Sequence, residues 1–161
     1  MLTRRALLPS LLAISAAARE ARAAKIFKVL TADEAADIES IAAEIIPTDD
    51  TPGAREAGVI WFIDSALAAD HADQQQVVRT GLAQLRGAVR SPGFAALDAA
   101  RKQELLRSIE STEFFKTIRT LTVMGFLADP RYGGNRDHIG WNTIGFSHAH
   151  VHRPPFGHYD K

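Results

Sequence analysis

The sequence predicts an all-α protein: a compact bundle of about five helices, followed by an irregular C-terminal segment rich in glycine, asparagine and aromatic residues. Three observations lead to this prediction. Apolar residues recur at i, i+3, i+4 and i+7 in successive segments, as on one face of a helix. Residues that favour helix N-termini precede these segments. No segment alternates apolar and polar residues over enough positions to indicate a strand.

The first helix is predicted to begin after Thr31. Thr31 and Glu34 have the spacing of a capping box, in which each side chain accepts a hydrogen bond from a backbone N–H at the start of the helix. Pro47 ends the helix, because proline removes a backbone donor and clashes with the preceding turn. One face carries the apolar residues Ile38, Ile41, Ala42 and Ile45.

A second helix is predicted to start in the segment after Pro47. Asp49, Asp50 and Thr51 are its N-cap candidates, and Pro52 suits the first helical position because the missing N–H would have no partner there. The residues predicted to face inward are Val59, Phe62, Ile63, Ala66 and Leu67.

Three further helices complete the predicted bundle. The third runs from about Ala72 to Val89 and precedes the helix-breaking residues Ser91-Pro92-Gly93, whereas Asp98 and Thr112 are predicted to cap the fourth and fifth. The connections are short, so the helices are expected to pack as neighbours. The predicted core positions are Val78, Leu82, Leu85 and Val89 in the third helix, Leu105, Leu106 and Ile109 in the fourth, and Phe114, Phe115, Ile118, Leu121 and Phe126 in the fifth.

Composition excludes several classes of function. The 161 residues include no cysteine, which rules out disulfides, iron–sulfur ligation, covalent haem attachment and a thiol nucleophile. Neither G-x-G-x-x-G nor G-x-x-x-x-G-K-[ST] occurs, so the usual dinucleotide and phosphate loops are missing. Without the first 23 residues, the chain has 15 basic and 18 acidic residues and a net charge of −3. Such a domain lacks the basic footprint of a nucleic-acid-binding protein.

The N-terminus has the pattern of an export signal. An apolar stretch of 13 residues, Ala6 to Ala18, is shorter than the roughly 20 residues that a membrane-spanning helix needs. Ala21-Arg22-Ala23 matches a leader-peptidase site, with cleavage expected after Ala23. Arg4 and Arg5 precede the apolar stretch and resemble the twin-arginine signature; the alternatives are a signal for the general secretory route or the start of a first helix. The predicted organisation is a signal over residues 1–23, a helical domain over 24–146 and a His/Pro-rich tail over 147–161.

No residue is assigned to catalysis or to cofactor binding from the sequence. Asp49 and Asp50 are interpreted as helix caps, and nothing resembles the serine-nucleophile motif G-x-S-x-G. His148, His150 and His152 alternate, which would place three imidazoles on one side of an extended segment, and imidazole suits zinc, copper or nickel. An independent periplasmic metal-binding protein that uses these histidines therefore stays open, as does a hydrolase with an unrecognised site.

Two blocks of the sequence resemble the gluconate 2-dehydrogenase subunit 3 family, the small subunits of periplasmic flavin-dependent sugar and sugar-acid dehydrogenases. They contain I-I-P-x-D-x-x-P-G-A-x-x-A-G-V, from Ile45, and Y-G-G-N-x-D-x-x-G-W-x-x-x-G-F, from Tyr132. The resemblance extends from about Leu30 to Phe146. It implies a non-catalytic partner of a large subunit that holds FAD, with a cytochrome c subunit as electron acceptor. It also implies that the small subunit carries the folded large subunit through the twin-arginine translocase and supports its maturation.

The segment "DPRYGGNRDHIGWNTIGF" is the candidate functional site, as partner contact or as loop structure. Tyrosine and tryptophan suit interfaces, glycine permits positive φ and close backbone approach, and asparagine and aspartate fold loops through side-chain to backbone hydrogen bonds. The alternative is a self-packing cap in which Trp141 and Phe146 close the helical core. The candidate residues are Tyr132, Gly133, Gly134, Asn135, Asp137, Gly140, Trp141 and Phe146.

Overall fold

A computed structural model describes residues 26–89 and 93–146, and in these two ranges the chain forms helices and turns without any strand. The all-α prediction is therefore confirmed. Four short 3₁₀ turns connect the helices, over Ala72–Gln74, Phe94–Ala96, Pro130–Tyr132 and Arg136–His138. The six α-helices are α1 (Ala32–Ile45), α2 (Val59–Ala68), α3 (Gln75–Val89), α4 (Ala99–Ile109), α5 (Glu113–Leu127) and α6 (Ile139–Thr143).

Helix α5 lies at the centre of the bundle and contacts each of the other five helices. Its inward residues Ile118 and Leu121 are almost completely buried, at 0% and 2% exposure. They meet the apolar stripes of α1, α2 and α3, which include Ile41, Ile63 and Leu82. The amphipathic pattern of each helix thus decides which face turns toward α5.

Three predicted helix caps are present. The Glu34 carboxylate accepts from the Thr31 N–H at 2.8 Å, and the Thr31 hydroxyl accepts from the Glu34 N–H at 3.2 Å, which completes the capping box. Asp98 and Thr112 accept hydrogen bonds from first-turn N–H groups of α4 and α5. Each bond satisfies a donor that the helix itself cannot satisfy.

The predicted start of the second helix is wrong. Asp49, Asp50, Thr51 and Pro52 precede no helix directly, because α2 begins only at Val59. The Asp49 carboxylate instead accepts from the N–H and the hydroxyl of Thr51, inside the loop. These hydrogen bonds, first that of the Thr51 N–H, lower the pKa of Asp49 from its usual 3.8.

Glu56 determines the path of this loop. Its Oε2 accepts from the Thr48 hydroxyl at 2.6 Å and from the Gly53 N–H at 2.9 Å. The Thr48 hydrogen bond is the main reason that the pKa of Glu56 lies below its usual 4.5. The loop therefore folds back on the end of α1, where Ala54 donates to the Ile46 carbonyl. Asp49 to Pro52, whose pattern is typical of a helix start, therefore lie in the loop between α1 and α2.

Smaller differences concern helix ends. The third helix begins at Gln75, because residues 72–74 form a 3₁₀ turn. Val89 and Ile109, predicted as core, are only half-buried, as are Ile45, Ala66 and Phe115 on their helices. The other predicted core positions of the five helices are buried.

A buried carboxylate on α2 holds the chain that leads into α1. Asp64 is 2% exposed and accepts hydrogen bonds from the N–H groups of Lys28, Val29 and Leu30, at 2.7, 3.0 and 3.1 Å. One turn earlier on α2, the indole of Trp61 stacks on Phe27 with ring centroids 4.4 Å apart. Because three backbone donors share one carboxylate, this segment is tied to α2 without belonging to any helix.

A second buried carboxylate joins three elements of the bundle. Asp37 of α1, 3% exposed, accepts from Nε of Arg86 on α3 at 2.7 Å and from the N–H of Ala95 at 3.1 Å. Neither Asp37 nor Asp64 was singled out from the sequence. The signal was present, since each acid lies among apolar residues on a helix, where a carboxylate requires partners.

We expect Asp64→Ala to lower the free energy of unfolding by about 2–4 kcal/mol, because three backbone donors lose their acceptor and that of Leu30 is buried. Asp64→Asn should destabilise the protein less than Asp64→Ala, because the amide oxygen can still accept hydrogen bonds from this segment. Some stability is still lost, because the amide NH₂ is a donor and cannot accept from a backbone N–H. Urea unfolding followed by circular dichroism measures both. Asp70→Ala, at an exposed position after α2, is the control and should change stability by no more than about 0.5 kcal/mol. Equal stability of Asp64→Ala and the parent would contradict the assignment.

Candidate functional site

The C-terminal segment from Asp129 to Phe146 packs against the end of α5 and against α2. Asp129 caps the first 3₁₀ turn by accepting from the Arg131 N–H at 3.0 Å, with Pro130 at the first position of that turn. Gly133 ends the turn at φ 108°, a conformation that glycine adopts without a steric penalty. The segment is therefore an ordered element with its own caps.

Asn135 is the internal link of this segment. Its side chain is completely buried, donates from Nδ2 to the Ala128 carbonyl at 2.8 Å and accepts at Oδ1 from the Gly140 N–H at 2.8 Å. One amide thus joins the end of α5 to the first turn of α6. The prediction that Asn135 folds the segment through side-chain to backbone hydrogen bonds is confirmed.

Trp141 closes the bundle at the same end. The residue is 8% exposed, and its indole N–H donates to the Leu127 carbonyl at 2.7 Å. His138 stacks on the indole at 4.9 Å between ring centroids, and Phe146 meets it edge to face at 5.3 Å. Phe146 itself is 48% exposed. The self-packing alternative therefore fits Trp141, whereas Phe146 covers the indole and faces outward.

Two glycines allow the close approach of this segment to α5. A Cβ at Gly140 would overlap the carbonyl oxygen of Phe126, and a Cβ at Gly134 would overlap that of Gly125. Any larger residue would push the segment away from α5 and stretch the hydrogen bonds of Asn135. Both glycines are structural here.

Three residues of the segment, Asn135, Asp137 and His138, have positive φ, at 46°, 55° and 59°. Asparagine, aspartate and histidine tolerate this region better than other residues with a Cβ. Asp137 contributes through its backbone, whose carbonyl accepts from Nδ2 of Asn142 at 3.4 Å. Its carboxylate is exposed and makes no hydrogen bond within the described ranges. The expected side-chain bond of Asp137 is thus replaced by a strained backbone turn.

The outer side of this region is apolar. Exposed large apolar side chains are concentrated here: six of the seven in the described residues lie between positions 123 and 146. Three of the six belong to the last two turns of α5 and three to the C-terminal segment. They are Val123, Met124, Leu127, Tyr132, Ile144 and Phe146. Exposed apolar area on a small protein marks interaction sites when it is concentrated in this way.

The residues that the structure describes contain clefts but no metal-binding group and no membrane-spanning helix. No group of three or more His, Asp or Glu side chains within residues 26–89 and 93–146 could hold a metal ion. A cleft of about 400 Å³ beside α1 and α3 is lined by Asp33, Asp37 and Arg86, of which the last two form the ion pair described above. Neither described range contains a helix long and apolar enough to cross a membrane. The proposed signal residues Arg4 and Arg5 and the tail residues His148, His150 and His152 lie outside the described residues.

Substitutions should show that Trp141 contributes more to the stability of the fold than the half-exposed Phe146. Trp141→Ala is expected to lower the free energy of unfolding by about 3–5 kcal/mol through the cavity it creates. Trp141→Phe leaves the Leu127 carbonyl without its indole donor and should cost about 1–3 kcal/mol. Phe146→Ala removes one half-exposed ring contact and should cost only about 0.5–1.5 kcal/mol. Thermal and urea unfolding measure the series, and an unchanged stability of Trp141→Ala would contradict its placement in the core.

Comparison with known protein families identifies one that matches most of the chain. The family model described as gluconate 2-dehydrogenase subunit 3 matches residues 32–147, which include all six helices and the C-terminal segment. Neither the curated proteins nor the solved structures yield a significant match. The matched range covers well over half of the chain, so the protein belongs to the gluconate 2-dehydrogenase subunit 3 family.

Proposed function

We propose that this chain is the non-catalytic small subunit of a periplasmic flavin-dependent dehydrogenase and that it carries the FAD-containing large subunit through the twin-arginine translocase. Membership of a dehydrogenase subunit family implies partner subunits. The observation that carries the finer proposal is the paired Arg4 and Arg5, followed by an apolar stretch, in front of such a domain.

The physical reason for joint export lies in the cofactor. FAD binds the folded flavoprotein and stabilises it, and an unfolded chain cannot retain it. A translocase that accepts folded cargo allows the large subunit to be loaded with FAD in the cytoplasm and moved afterwards. One export signal on the small subunit is then sufficient for both chains, provided that the two chains remain bound to each other during translocation.

The division of labour follows from the same proposal. The large subunit would bind FAD and oxidise a sugar, sugar acid or sugar alcohol, and a cytochrome subunit with haem c would accept the electrons. This chain would contribute binding surface, export and support during maturation. The exposed apolar residues at the end of α5 and in the C-terminal segment support a binding role, because they are concentrated in one part of the chain, where the hydrogen bonds of Asn135 and Trp141 tie the segment to the end of α5.

Export is tested by charge-conserving substitution in the signal. Arg4→Lys with Arg5→Lys should retain both subunits in the cytoplasm and reduce periplasmic dehydrogenase activity at least about tenfold. Arg19→Lys, which also keeps its charge but lies outside the pair and outside the site Ala21-Arg22-Ala23, is the control and should leave export unchanged. Cell fractionation with immunoblots and a dye-reduction assay measures the outcome. Full periplasmic activity in a strain that lacks this chain would overturn the proposal.

The alternating His148, His150 and His152 favour a second candidate, an independent periplasmic metal-binding protein. On that hypothesis the full-length chain binds Zn²⁺, Cu²⁺ or Ni²⁺ by calorimetry, and His→Ala at all three positions abolishes the heat of binding. Deletion of residues 147–161 should have the same effect. Metal retained after the deletion would exclude the tail as the site.

A further inference from the structure

The outward face of α5 changes character along its length. Residues four positions apart share one side of a helix, and two such series run along α5: Arg119, Val123 and Leu127 in one, and Lys116, Thr120 and Met124 in the other. All six side chains are exposed. The first half of this side therefore carries the two cations Lys116 and Arg119, and the second half is apolar.

The apolar half continues into the C-terminal segment. The Leu127 carbonyl accepts from the Trp141 indole, and Phe146 rests against that indole. Phe146 therefore lies beside the C-terminal end of α5. We call Val123, Met124, Leu127 and Phe146 the α5 face; their exposed fractions are 42%, 41%, 36% and 48%.

One cation at the border of the α5 face has no carboxylate within ion-pair distance among residues 26–89 and 93–146, although Glu44 and Glu110 line the same cleft as this residue, Arg119. Lys116 pairs with Glu113 at 2.8 Å, and Arg131 lies 3.6 Å from Asp129. Arg119, one turn before Val123, forms no ion pair within the ranges that the structure describes. A surface complementary to this face is apolar and has a carboxylate opposite Arg119.

The α5 face is also rigid before any partner binds. Its helix is fixed from behind by Ile118 and Leu121, and its far end is fixed by the hydrogen bonds of Asn135. Little conformational entropy remains to be lost at the backbone on binding, which favours affinity for a given contact area.

We propose that the α5 face is the surface on which the large flavoprotein subunit docks, with a carboxylate of that subunit paired to Arg119. This inference rests on the proposed function, which supplies the partner. A second copy of this chain fits less well. The only acidic residue of α5 is Glu113, already paired with Lys116, so helix-to-helix pairing through α5 would leave Arg119 without a counter-ion.

The test is co-expression of the tagged full-length chain with the flavin-containing large subunit from the same organism. Val123→Asp with Met124→Asp should weaken retention of the large subunit at least about tenfold, because two charges would enter the apolar contact. Ala83→Asp with Gln84→Asp is the matched control, since these neighbouring residues are exposed in the middle of α3, which has 15 residues like α5. The control should bind like the parent. Circular dichroism and thermal unfolding of both double variants must show the parent fold.

The charge at Arg119 gives an independent readout. Arg119→Glu should weaken binding at least about tenfold and Arg119→Lys by a smaller factor, with the difference reduced at high salt.

Parental binding by a folded Val123→Asp, Met124→Asp variant would overturn the assignment of the α5 face as the docking surface and leave the proposed function intact. If the parent chain itself fails to retain the large subunit, the proposed function falls. A dimer of the parent chain that the same double variant dissociates, measured by light scattering, would assign the face to a second copy and overturn the inference.

Discussion

The buried side-chain amide of Asn135 is the interaction that holds the C-terminal segment, Asp129 to Phe146, against the end of α5. It donates to the Ala128 carbonyl and accepts from the Gly140 N–H, two backbone groups that would otherwise be unpaired. Since an unpaired buried polar group is costly, both halves of this bridge resist displacement. The amide ties α6 to the end of α5, where the hydrogen bond from the Trp141 indole to the Leu127 carbonyl adds a second connection. An irregular segment becomes as well defined as the helices it covers.

Around that link, the C-terminal segment divides into two sides with different roles. Gly134, Gly140 and Trp141 face α5 and belong to the protein's own packing. Tyr132 and Phe146 face outward, together with residues of the last two turns of α5. The same segment can therefore stabilise the fold and present a rigid apolar surface to another subunit. A binding surface carried by a fixed scaffold avoids the entropy cost of ordering a loop on association.

At the start of the described chain, Asp64 plays a comparable part. It fixes residues 28–30 on α2 just beyond the sequence that is interpreted as the export signal. Asp37 does the same for the turn after α3. In both cases a carboxylate inside the bundle satisfies backbone donors of a segment that has no helical partners of its own. The helices form the apolar core, and the buried carboxylates fix the segments between or before the helices through hydrogen bonds to their backbone.

Features whose causes are local can be predicted from the amino-acid sequence. The caps at Thr31, Asp98 and Thr112 involve residues three positions apart, and the apolar stripes repeat within one or two helical turns. These features, together with the two motif blocks, were enough for the all-α fold, the five main helices and the family. The fold of the C-terminal segment was partly predictable, because Asn135 and the glycines are residue types with few other reasons to occur together.

Contacts between residues distant in the sequence became known from the folded chain. Asp64 contacts N–H groups 34 to 36 positions away, and Asp37 contacts one 58 positions away. The start of α2 at Val59 depended on Glu56 closing the loop onto α1, although Asp49 to Pro52 have the local pattern of a helix start. The sequence likewise does not decide whether Trp141 and Phe146 face the helical core or the solvent. Local rules set what each residue can do, and long-range packing selects among these possibilities, because only in the folded chain do burial and unpaired polar groups acquire their energetic cost.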